Sequence, residues 1–151
     1  MLVGAIMSRN PVTVGRDHTV LHVARVMREK EIGAVVVVDE RGRPIGMCTD
    51  RDVTLRAILK GGEVGAIPVD RIMTKPVVAV PEDTLLFDLL RLMARKGIRR
   101  VPVVDPKDQS VVGVVSMDDI ILLLTTELSN VAEVLGASSR VLGRNAKEEE
   151  E

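Results

Sequence analysis

The chain states one pattern twice. Ile6-Met7-Ser8 returns as Ile72-Met73-Thr74, 66 positions later. The same offset carries Asp17 onto Asp83, Arg25 onto Arg91, Met27 onto Met93 and Ile32 onto Ile98. It also carries Val35, Val37, Val38 and Asp39 onto Val101, Val103, Val104 and Asp105. One extra residue then enters the second copy, and Gly46-Met47-Cys48-Thr49-Asp50-Arg51-Asp52 aligns with Gly113-Val114-Val115-Ser116-Met117-Asp118-Asp119. A long period repeated only twice is a tandem module, since a solenoid needs at least three repeats. Two like units that cannot bury their apolar faces alone are expected to pack face to face, leaving two related clefts between them.

Within each copy the hydrophobic spacing reads β-α-β-β-α. In copy one, residues 11–14 read as a strand and Asp17 as the N-cap of a helix. Val20, Val23, Ala24 and Met27 give that helix one apolar face. Ala34 to Val38 is a continuous apolar run, the pattern of a strand buried on both faces. Residues 39–44 are a turn by chemistry, 45–48 a second strand, and about 50–59 a helix. Copy two repeats the order with strand 77–80, helix 84–96, strand 100–104, turn 105–110, strand 111–115 and a helix from about 117. The expected organisation is repeat one over 1–62, a linker over 63–71, repeat two with an extended last helix over 72–135, and a charged, disordered tail over 136–151.

Composition narrows the function. The 151 residues suffice for one domain with a core, and that core must be aliphatic, because Phe87 is the single aromatic. Stacking platforms for single-stranded nucleic acid are therefore missing. A formal net charge of -1 provides no large basic field for phosphate backbones. No stretch approaches the roughly 20 apolar residues needed to span a bilayer, and no signal peptide is visible. A soluble cytoplasmic protein is the expectation, with neither nucleic-acid nor membrane partners. One Gln, three Asn and 28% charged residues fit a thermophilic source.

The pattern that carries chemistry is strand, Gly, two apolar residues, Ser/Thr, two residues, Asp, helix. Thr49 and Asp52 hold it in copy one, Ser116 and Asp119 in copy two. A Ser/Thr followed three residues later by an acid also resembles a helix capping box. The sharper reading is a phosphorylated sugar. Hydroxyl and backbone N–H groups at a helix start approach phosphate, while the carboxylate accepts from vicinal ribose hydroxyls, as in dinucleotide folds. The two readings are compatible.

With these residues the chain resembles a free-standing tandem CBS-domain protein, a pair of cystathionine-β-synthase-type domains. The resemblance covers residues 6 to about 124. It rests on Ile-Met-Ser/Thr at each start, on Ile98-Arg99-Arg100-Val101-Pro102-Val103-Val104-Asp105, and on Gly-x-x-Ser/Thr-x-x-Asp at each end. It implies an α/β fold of the α+β type, with two β-α-β-β-α repeats related by a pseudo-two-fold axis. It implies AMP, ADP or ATP as ligand, without a cofactor, and Asp52 and Asp119 as ribose contacts with Thr49 and Ser116 nearby. Each cleft takes its Ser/Thr and Asp from one repeat and its strand residues from the other. Cleft one would combine Thr49 and Asp52 with Val77, Val78, Arg99, Arg100 and Pro102. Cleft two would combine Ser116 and Asp119 with Pro11, Val12, Gly33, Ala34 and Val36. Arg99 and Arg100 stand where the family often places phosphate-binding bases, whereas copy one has Gly33 and Ala34 there, so the clefts are expected to differ.

The resemblance also implies a homodimer, built on the helices after Asp52 and Asp119, and an enzyme or transporter as the regulated partner. The function expected is a non-catalytic nucleotide sensor. The alternatives are a structural dimerisation module, or a binder of S-adenosylmethionine or NAD. His18 and His22 lie i,i+4 with no third ligand at sensible spacing and are expected to be solvated or partly buried. Cys48 is expected to be a buried small hydrophobe.

Overall fold

In the computed structural model the backbone is described for residues 1–148 and side chains for residues 1–136. The chain divides into two compact units, Met1–Ser116 and the segment from Met117 onward. Among the described residues seven strands and four α-helices follow one another: β1 (Ser8–Arg9), β2 (Thr13–Gly15), α1 (Val20–Lys30), β3 (Ala34–Val38), β4 (Pro44–Thr49), α2 (Asp50–Asp52), β5 (Val80–Pro81), α3 (Leu86–Lys96), β6 (Arg100–Val104), β7 (Val111–Ser116) and α4 (Met117–Glu148). The α2 turn runs on through a π turn, Val53–Ala57, and a 3-10 turn, Ile58–Lys60.

The first unit holds two sheets. One has the order β2-β3-β4, the other β1-β7-β6-β5. Each contains a parallel pair, β2 with β3 and β5 with β6, and an antiparallel hairpin, β3 with β4 and β6 with β7. The parallel pairs enclose α1 and α3, as a βαβ crossover requires. Val35, Val36, Val37, Val101 and Val103 are fully buried, as their uninterrupted apolar runs demand.

The repeats exchange their opening segments. Ser8 pairs with Val114 in β7, so the start of copy one completes the sheet of copy two. Thr74, the counterpart of Ser8, bridges to Met47 in β4, so the start of copy two completes the sheet of copy one. The backbone bonds around these segments are reciprocal. Val3 N–H donates to Thr84 O at 2.8 Å, and Val69 N–H donates to His18 O at 2.8 Å. Leu2 bridges Leu85, and Pro68 bridges Thr19. Residues 63–71, expected to be a linker, contain two 3-10 turns, Val64–Ala66 and Val69–Arg71. Val69 is fully buried, and with Ile72 and Met73 it joins the core of copy one beside Val23, Val35 and Cys48.

Local boundaries differ from the sequence reading for identifiable reasons. Thr19, not Asp17, caps α1, because its Oγ1 accepts from His22 N–H at 3.2 Å. The short parallel strands sit later than expected, at 13–15 and 80–81, since only those residues meet β3 and β6 in register. The second unit begins with α4, whose backbone is helical to Glu148, where a disordered tail is expected from residue 136. Residues 149–151 of that tail lie outside the described residues. Among the described residues no helix is long and apolar enough to cross a membrane.

Candidate functional site

The turn that ends β4 and opens α2 is a complete capping box. Thr49 Oγ1 accepts from Asp52 N–H at 3.2 Å, and Asp52 Oδ2 accepts from Thr49 N–H at 2.9 Å. The Thr49 hydroxyl also donates to Asp52 Oδ2 at 2.9 Å. Asp52 Oδ1 faces Arg56 Nε at 3.4 Å. Arg56 in turn donates to Ile72 O at 3.0 Å and to Thr74 Oγ1 at 3.3 Å, tying this turn to the exchanged segment of copy two. Asp52 is the buried charged residue of the first unit, at 8% exposure, and both of its oxygens are engaged. It stands at the third helical position and Thr49 at the cap, which places the capping reading on firm geometry.

Beside this turn lies a cleft of about 350 Å³. Met47, Thr49 and Arg51 of copy one form one wall. Thr74, Pro76, Val77 and Val78, and the corner Gly97-Ile98-Arg99-Arg100 between α3 and β6, form the rest. Of the residues expected in cleft one, Thr49, Val77, Val78, Arg99 and Arg100 converge here from both repeats. Asp52 sits behind Thr49 in the capping box, and Pro102 is buried within β6; neither lines the cleft. Arg51 does line it, and sequence reasoning missed it. The two copies do not share it: Arg51 is matched by Asp118.

Apolar area predominates in the lining, and among the described residues its charged members are all arginines. That arrangement suits a ligand with an apolar ring and an anionic end. A larger depression of about 480 Å³ at the far end of β2 and β3 is of another kind. Two of its arginines face acids: Arg43 holds Asp39 at 2.8 Å, and Arg16 reaches Asp70 at 3.4 Å. Hydrogen bonding from the Arg43 backbone holds the Asp39 carboxyl below its ordinary range, against the opposing effect of its surroundings.

The residues expected in cleft two are distributed as follows. Pro11 and Val12 lead into β2, Gly33 precedes β3, and Ala34 and Val36 lie in β3. Ser116 closes β7, opposite Arg100 in register. Asp119 lies in the first turn of α4, in the second unit.

His18 and His22 stack with ring centroids 4.3 Å apart, and His18 Nδ1 accepts from Gly15 N–H at 3.0 Å. Cys48 is fully buried in β4. Burial, and then the negative charge of Asp52, push its thiol up to about 12. It is a core residue, as its apolar strand implies.

The family model for the CBS domain matches this chain twice, at residues 3–59 and 64–126. The chain belongs to the CBS-domain family and is a CBS domain pair. It is 37% identical over 79% of its length to the uncharacterized protein MK0525 of Methanopyrus kandleri, of which it spans 60%. It is 36% identical to the CBS domain-containing protein YhcV of Bacillus subtilis, covering 82% of this chain and 84% of that one. Among solved structures it resembles the CBS domain pair of protein MJ0100 in complex with 5-methylthioadenosine and S-adenosyl-L-methionine. The TM-score is 0.74 at 28% identity, over 84% of this chain and 98% of that chain.

Proposed function

We propose that this CBS domain pair is a non-catalytic regulatory module that binds an adenine nucleotide, AMP, ADP or ATP, in the cleft beside Thr49. One observation carries the reading. A mostly apolar cleft built from both repeats has arginines as its charged lining among the described residues, and Thr49 and Thr74 line it too. Val77 and Val78 would supply a surface for a base, and Arg99 and Arg100 would supply charge for phosphate. Because the walls come from both repeats, a ligand that prefers one relative arrangement of them shifts the equilibrium towards it, which is what a sensor requires.

Asp52 serves this site through the capping box that holds Thr49, and its Oδ1, which faces Arg56, keeps acceptor capacity for a ribose hydroxyl. Cleft two is proposed as a second, less phosphate-selective site, with Gly33 and Ala34 where cleft one has arginines. S-adenosylmethionine is the alternative ligand, favoured by the complex of MJ0100.

A homodimer, with a regulated enzyme or transporter as partner, completes the proposal. Leu55, Ile58 and Leu59 after α2 are exposed apolar residues on one helical stretch. In α4 the exposed residues Ile121, Leu124, Leu128, Val131 and Leu135 follow alternating spacings of three and four, the spacing of a helix-pairing seam.

The test is thermal unfolding with AMP, ADP or ATP. A ligand at about 100 times its dissociation constant adds roughly 2.7 kcal/mol, enough to raise the midpoint by a few degrees for a domain of this size. An unmoved midpoint with all three at millimolar concentration would remove the nucleotide reading.

A further inference from the structure

We infer that Arg51 sets the phosphate-charge preference of cleft one, making it a polyphosphate site that disfavours cationic adenosyl ligands. The inference rests on the nucleotide reading above and adds to it a specificity residue and a ligand class. Arg51 sits in the first turn of α2, immediately before the buried Asp52 and two residues after the cleft hydroxyl of Thr49. The capping box fixes the backbone of that turn, so the side chain of Arg51 is launched into the cleft from a rigid base. Its guanidinium has no hydrogen-bond or ion-pair partner among the described residues; only its backbone N–H is used, donating to Asp50 Oδ1 at 2.7 Å. Arg100, on the opposite wall, likewise has no side-chain partner among them.

Arg51, Arg99 and Arg100 border one cleft from two repeats, and among the described residues that line it there is no carboxylate. A monophosphate needs only one such wall. A chain of two or three phosphates is long enough and charged enough to be held from both sides, and planar guanidinium groups match phosphate oxygens two at a time. A sulfonium or an uncharged thioether in the same place meets like charge or no partner. The repeat offers its own contrast, because the position equivalent to Arg51 is Asp118, and those equivalent to Arg99 and Arg100 are Gly33 and Ala34. The sequence thus replaces three positive charges by one negative charge between equivalent positions.

The experiment is calorimetric titration of the full chain with adenosine, AMP, ATP and S-adenosylmethionine, for the parent and for Arg51→Gln and Arg51→Asp. Arg51 is exposed, and an acid in the first helical turn is favoured by the helix dipole. Neither variant therefore endangers the fold, and unliganded melting checks this directly. The parent is expected to bind ATP at least tenfold more tightly than AMP and S-adenosylmethionine. Arg51→Gln is expected to cut the ATP advantage by about tenfold, and Arg51→Asp by more, with adenosine affinity unchanged. An ATP-to-AMP ratio that is the same in all three proteins overturns the role of Arg51 while leaving the nucleotide reading intact. No binding of any adenine compound by the parent overturns the nucleotide reading itself, and this inference with it.

Discussion

Met7 lies across Gly113. A Cβ added at Gly113 would stand 2.9 Å from Met7 Cγ and 3.0 Å from the backbone oxygen of Ser8. The counterpart in the other repeat is Met73 across Gly46, where the same Cβ would stand 2.9 Å from Met73 Cγ. The glycines of β4 and β7 are therefore the seats of the exchanged segments. Each repeat lends its Ile-Met-Ser/Thr segment to the other, and the methionine docks only where the receiving strand has no side chain.

Gly113→Ala should accordingly destabilise the protein by about 1–3 kcal/mol, the usual penalty for overpacking a filled site. Gly46→Ala should cost less. Its nearest atoms all belong to the flexible Met73 side chain, whereas Gly113 also meets fixed backbone. Urea denaturation of both variants gives the order directly. A neutral or stabilised Gly113→Ala would contradict the docking role.

Exchange also predicts how the chain behaves when cut. Gly61 and Gly62 have positive φ and open space around them, so a break there strains nothing. Fragment 1–61 would then lack the Thr74 segment that completes its sheet, and fragment 62–151 would lack the Ser8 segment. Each alone should show no cooperative unfolding, and an equimolar mixture should recover the circular dichroism and melting transition of the intact chain. Two independently folded fragments would disprove a mandatory exchange.

The order of elements was legible because the hydrophobic period is local. The valine-rich runs at 34–38 and 101–104, and the amphipathic spacing of Val20, Val23 and Met27, need no tertiary knowledge. The exchange was not legible. A two-residue strand such as Ser8–Arg9 carries no periodicity, and nothing in it names the sheet it joins. For the same reason residues 63–71 read as a linker, although Val69 is fully buried. At the site, the doubled Ser/Thr-x-x-Asp pattern marks the capping-box turn beside the cleft, and Arg99 and Arg100 border that cleft. Arg51 carries no such signal, because the repeat puts Asp118 at the equivalent position.

The capping box gives a second pair of measurements. Thr49→Ala removes the cap acceptor and should cost about 1 kcal/mol. Asp52→Asn leaves an acceptor for Thr49 but loses the charge that strengthens those bonds and faces Arg56, so a loss of about 1–2 kcal/mol is expected. Both are read by chemical denaturation. Because Asp52 stands behind Thr49, its effect on ligand affinity should be no larger than that of Thr49→Ala; a much larger effect would show direct contact between Asp52 and ligand.

Cys48 links burial to pH. Its thiol is raised from an ordinary 9.0 to about 12 in the folded chain, chiefly by burial. The neutral form is therefore favoured by folding. Its contribution is complete below pH 9 and is lost as the pH rises from about 9 towards 12, where the unfolded thiol ionises first. Thiol reagents at pH 8 should label Cys48 only at the rate of opening, and Cys48→Ala should flatten the alkaline fall in stability. Rapid full labelling of the native protein would show the thiol to be exposed.

The central claim is that an adenine nucleotide occupies the cleft walled by both repeats. Calorimetric titration of the intact protein with ADP, before and after replacing Arg99 and Arg100 together by Ala, tests it most directly. The account predicts saturable binding by the parent that weakens with added salt, and loss of at least tenfold in affinity at one site in the double variant. No heat of binding in the parent, or equal affinity in both proteins, would contradict it.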